Sequence, residues 1–127
     1  MEKLFEKFME DVDGFLSNMG LNEREICNDA FDAHARCECI FGGTEDYFDP
    51  AMEQWYPGEA PVYRVWGYEG YISDIAIRVA EAFAEHYFVH VSGKLIRLVR
   101  ENLSDIFQDA LLDEDAFRAR AIDSYYN

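Results

Sequence analysis

Leu4, Phe5, Phe8, Val12, Phe15, Leu16 and Met19 recur at steps of three and four, the spacing that places side chains on one face of an α-helix. This predicts a helix over 3–19, with Gly20 standing where a left-handed cap would end it. Asn22 followed by Glu25 is a variant of the capping box, and Ile26, Ala30, Ala33, Cys37 and Ile40 carry the helical period onward to Gly42-Gly43. A second helix over about 23–41 is expected, packed on the first as an antiparallel hairpin. The period returns near Ser73, where Ile72, Ile75, Ala76, Val79, Ala82, Phe83, His86, Tyr87 and His90 share a broad face and Ser92-Gly93 reads as a stop. Leu95, Ile96, Val99, Leu103, Ile106, Phe107, Ala110 and Leu111 predict a fourth helix. A fifth carries Phe117, Ile122 and Tyr125 behind Asp113 as its cap.

Between Gly42 and Tyr71 the pattern breaks. All three prolines fall here, with Tyr47, Phe48, Met52, Trp55, Tyr56, Tyr63, Trp66, Tyr68 and Tyr71 scattered among glycines and acids. Structureless loops beyond ~12–15 residues are uncommon in compact domains unless they serve function. Asp49-Pro50 reads as cap and first position of a short helical turn over about 50–55, and Val62 to Trp66 as a short extended piece. The expected fold is mainly α, with about five helices around one core and a long aromatic-rich loop over 42–71. A chain of 127 residues fits one such domain, spanning 1–127.

Charge changes the picture most. The chain has 26 Asp and Glu against 11 Lys and Arg, a formal net charge of −15. That argues against direct binding to nucleic-acid phosphate, which needs a basic footprint, and points to a basic partner. The aromatic content sets the chain apart from disordered acidic tails. No apolar run is long enough to span a membrane and no signal segment is evident, while an odd number of cysteines argues against a disulfide framework. A cytoplasmic protein is expected.

The charges align as well as accumulate. Glu2, Glu6, Glu10 and Asp13 step by four, four and three, so one helix would carry them as a ridge with neighbours ~6 Å apart, similar to successive phosphates on a nucleic-acid strand. Glu45, Asp46, Asp49, Glu53 and Glu59 could extend this ridge, and Asp105, Asp109, Asp113, Glu114 and Asp115 form a second cluster. Interface centres are enriched in Tyr, Trp, Phe and Met, the residue types of the central stretch. The residues expected to meet a partner are Glu6, Glu10, Asp13, Asp46, Asp49, Glu53, Trp55, Tyr56, Trp66, Asp109 and Asp113.

Catalytic and metal signatures are weak by comparison. His86 and His90, four apart on a helix, could share an ion with Glu85, but Tyr87 stands where the metalloprotease motif needs Glu. Cys37 and Cys39 with Cys27 and His34 invite a zinc reading. On a helix, however, Cys-x-Cys would point its sulfurs roughly 200° apart, so the cysteines read as small hydrophobes. No phosphate-binding glycine loop occurs. Neither a metal nor a cofactor is expected.

Ala60-Pro61-Val62-Tyr63 and Ser73-Asp74-Ile75-Ala76, with the size, acidity and helical character of the chain, resemble small acidic phage-encoded inhibitors of bacterial defence: DNA-mimic anti-restriction proteins and anti-CRISPR proteins. The resemblance implies a target in the host bacterial cell, either a restriction nuclease or a CRISPR effector complex, and no catalysis. Alternatives are an immunity or adaptor protein for another basic partner, a small metal-binding enzyme using His86 and His90, and self-association as a homodimer through the aromatic loop.

Overall fold

The computed structural model describes residues 2–40, 47–56 and 62–126. Among them the chain is mainly helical: α1 (Glu2–Glu10), α2 (Val12–Asn18), α3 (Glu23–His34), α4 (Tyr68–Tyr87), α5 (Gly93–Glu101), α6 (Leu103–Ile106) and α7 (Glu114–Tyr126). Four short strands lie between α3 and α4: β1 (Arg36–Ile40), β2 (Tyr47–Asp49), β3 (Gln54–Tyr56) and β4 (Val62–Trp66). The mainly helical class is as expected, but the expected long loop contains strands. β1 pairs antiparallel with β4, and β2 with β3, as separate two-stranded sheets.

Two predicted helices are split. The first breaks at Asp11, whose backbone leaves helical geometry (φ −138°, ψ 41°). Its carboxylate folds over Gly14, where an added Cβ would stand 2.5 Å from Asp11 Oδ1. The fourth breaks at Asn102, whose side-chain amide donates back to the Leu98 carbonyl. The apolar period survives both breaks, so periodicity alone missed them.

The second predicted helix ends seven residues early, at His34. From Arg36 the side chains alternate across a strand, with Cys37 and Cys39 on one face and Arg36 and Glu38 on the other. Cys37 pairs with Val65, and Cys39 with Tyr63. The helical-turn expectation over 50–55 also fails. Asp49 does cap the chain reversal, its Oδ1 accepting from Ala51 N–H at 2.9 Å, but the reversal is a β-hairpin turn with Glu53 in the left-handed region (φ 48°). The extended piece at Val62–Trp66 is observed as β4.

The core centres on α4, which buries Tyr71, Ile75, Ala76, Val79, Ala80, Ala82, Phe83 and Ala84. Phe83 takes the edges of Phe5 and Phe8 at 5.8 and 5.3 Å between ring centroids, which docks α1 on α4. Phe117 from α7 meets Phe31 and Tyr71, each at 5.2 Å, and ties α3, α4 and α7 together. Such edge-to-face contacts add ~0.5–1.5 kcal/mol beyond the area they bury. Asn22 caps α3 by accepting from Glu25 N–H, Ser92 caps α5, and Asp113 caps α7 through Ala116 N–H at 2.7 Å. Ser92-Gly93, expected as a stop, is therefore a start.

Gly67 joins β4 to α4 at φ 105°, and a Cβ there would stand 1.8 Å from the His34 carbonyl oxygen. Both the dihedral and the backbone approach require glycine. Gly67→Ala is expected to lower unfolding free energy by at least ~2 kcal/mol, seen as a reduced urea midpoint at unchanged slope. An unchanged midpoint would mean that this crossing tolerates a side chain.

Candidate partner-binding face

α1 and α2 pass on one side of a concavity of about 220 Å³, and the α6 end of the chain closes the other side. Its rim holds Glu10, Asp11, Asp13, Glu23, Asp105 and Asp109, over an apolar floor of Met9, Val12 and Ile106. The fold thus merges two acidic clusters that lie far apart in the sequence. None of the six carboxylates is ion-paired among the described residues. The ion pairs sit elsewhere: Arg78 with Asp29 and Asp74, Arg100 with Glu69, and Arg118 with Glu114.

Crowding shows in Glu23, the first residue of α3. Partial burial, then a hydrogen bond with Asp13, then the charges of Asp13 and Asp109 raise its pKa from 4.5 to about 7. The helix N-terminus should favour a carboxylate here, and burial together with the neighbouring acids outweighs it.

The expected partner-binding residues do not all gather on this face. Glu10, Asp13 and Asp109 line the concavity. Glu6 lies exposed on α1, and Asp113 is engaged as the α7 cap. Asp49, Glu53 and Trp55 belong to the β2–β3 hairpin, where Trp55 is 66% exposed and packs on Phe48 at 5.4 Å, with Met52 64% exposed at the turn. The Tyr56 backbone belongs to β3. Trp66 is exposed on the outer face of the β1–β4 sheet, opposite Arg36. Gly42-Gly43, Glu45, Asp46 and Glu59 lie outside the described residues. Trp55 and Trp66 therefore project from different sheets, and neither lines the concavity.

The metal reading loses its geometry. α4 ends at Tyr87, so His86 and His90 are not one turn apart on a helix; His86 packs against Phe15 at 4.1 Å. Cys37 and Cys39 share a strand face, which corrects the argument that they point apart, yet among the described residues no group of three or more His, Cys, Asp or Glu is placed to hold a metal ion. No helix among the described residues is long and apolar enough to cross a membrane.

Several residues escaped the sequence reading. Asp11 joins the acidic rim at the break between α1 and α2, and Glu23 joins it at the start of α3. Phe88, the C-cap of α4, is 96% exposed in the left-handed region (φ 56°), an unfavourable conformation for a bulky residue. A sequence signal did exist for it: no carboxylate occurs from His86 to Arg100. Comparison with known proteins finds no matching family model, curated protein or solved structure.

The raised Glu23 pKa has a defined sign. Between 4.5 and about 7 the folded state holds more protons than the unfolded state, so this group's contribution to stability falls as pH rises through that window and is flat above it. Glu23 is only half-buried, so solvent screening trims the effect to ~1 kcal/mol. Wild type minus Glu23→Gln, compared by urea unfolding at pH 5 and pH 8, should show this loss at low ionic strength and less of it in high salt. A pH-independent difference would refute the raised Glu23 pKa.

Proposed function

We propose that the protein is a non-catalytic inhibitor whose carboxylate face occupies a basic, nucleic-acid-binding surface of a host defence complex, a CRISPR effector or a restriction enzyme, in the place of DNA. The observation that carries this reading is the unneutralised rim of Glu10, Asp11, Asp13, Glu23, Asp105 and Asp109 in one concavity. Holding like charges together costs stability, and a Lys- or Arg-lined groove would recover it on binding. A field of this sign speeds encounter with a basic partner and weakens as salt rises.

The test combines capture and competition. The tagged protein should retain a nucleic-acid-binding complex from bacterial lysate at low salt, releasing it at high salt or to competing duplex DNA. The triple variant Glu10→Lys, Asp105→Lys, Asp109→Lys should lose capture at least tenfold. Retention by that variant would remove mimicry through this face.

The exposed Phe48, Met52 and Trp55 of the hairpin favour a second reading, an immunity or adaptor protein for one cognate basic partner. In that case capture ignores DNA and depends on the aromatic anchors. Trp55→Ala would then cost ~2 kcal/mol of binding, about thirtyfold in Kd. A Trp55→Ala variant that binds as wild type would exclude the hairpin as anchor.

A further inference from the structure

Arg24 of α3 and Arg120 of α7 converge on a second pocket, of about 530 Å³, completed by Cys27, Asn28, Asp109 and Ala110. In so acidic a chain most well-placed arginines could find a carboxylate, yet neither of these two has one within ion-pair distance among the described residues. Arg120 is nonetheless held in place. Its Nη2 donates to Asn28 Oδ1 at 2.9 Å, and its Cζ lies 3.9 Å from the centre of the Phe31 ring. This leaves the remaining guanidinium donors oriented and unused, the preorganised fork that matches a planar oxyanion.

The wall beside the arginines carries no competing charge. Cys27 lines the pocket, and burial raises the pKa of its thiol, keeping it neutral. Tyr71, fully buried, lies behind it with its hydroxyl beside that thiol and the Leu112 backbone.

We infer that this pocket binds a carboxylate group, gripped by Arg24 and Arg120 beside Cys27. Geometry favours carboxylate over phosphate: a planar oxyanion matches the flat guanidinium fork, and with Asp109 already lining the pocket a dianion is disfavoured. The same group could arrive on a free small acid or at the C-terminus of a peptide. The inference does not rest on the proposed DNA mimicry, although Asp109 borders both sites.

The arginine Nε–Hε resonances in ¹H–¹⁵N spectra report each guanidinium directly. The probes are sodium acetate, N-acetyl-Ala-Ala with a free C-terminus, its C-terminal amide, and inorganic phosphate, at constant ionic strength maintained with chloride. Saturable shifts of the Arg120 Nε–Hε signal with acetate or the free peptide, and none with the amide, are expected. Equal affinity for the two carboxylates would identify a small-acid site, and a tenfold preference for the peptide a C-terminal carboxylate. Arg120→Gln should weaken binding at least tenfold. Because Arg120 also supports Asn28 and Phe31, Arg24→Gln, at an exposed position, provides the variant that leaves the fold intact and should weaken binding about tenfold. Shifts that do not saturate, that persist in Arg24→Gln, or that are matched by phosphate would overturn the assignment.

Discussion

The approach of Gly67 to the His34 carbonyl is the constraint from which much of the fold branches. α3 ends at His34 and passes into β1; β4 ends at Trp66 and passes through Gly67 into α4. Arg36 and Trp66 form the first rung of the β1–β4 ladder just beyond this crossing. One close contact therefore sets the ladder register and the entry of α4 onto α3 together. A side chain at Gly67 would push the strands and the helix pair apart at once, which is why a glycine with positive φ outweighs any gain from added apolar surface there.

Above that crossing the aromatic rings of the core do the work that a small domain needs in order to carry a net charge of −15. Phe83 gathers two rings from α1, and Phe117 gathers rings from α3 and α4, and burying such side chains supplies ~1.5–3 kcal/mol each, more than an exposed ion pair contributes. The paired bases are spent on α4, α5 and α7, where Arg78, Arg100 and Arg118 meet acids on the surface. The α1–α2 and α6 end is left without them. The raised pKa of Glu23 is the local response of a cluster whose carboxylates have no ion-pair partner among the described residues.

Helix existence was legible where the apolar stripe and the cap agreed, as with Asn22 before α3 and Asp113 before α7. It failed where two periods overlapped. Ile26, Ala30, Ala33, Cys37 and Ile40 fit a helix, while Arg36-Cys37-Glu38-Cys39 also alternates, and only the pairing partner at Val62–Trp66 decides for the strand. The Asp49-Pro50 signal reads as the start of a helical turn and instead marks a β-hairpin reversal, because an Asx side chain caps both. The acidic character of the candidate face was legible from composition. Its membership was not, since Glu10 and Asp109 become neighbours only through tertiary packing that no local window contains.

The two candidate surfaces are coupled by position. Asp109 borders both the acidic concavity and the arginine pocket, and Arg24 lines that pocket as well as the groove holding Asp13, Ser17 and Glu23. The charge of Arg24 therefore acts on both sides. A carboxylate bound against it would offset part of the positive field near Asp13 and Glu23, making the acidic face more negative. By linkage the converse holds: a basic partner that neutralises Asp109 leaves the arginines freer to hold an anion. In so acidic a protein, the position of two unpaired arginines thus bears on how strongly the carboxylates can attract a partner.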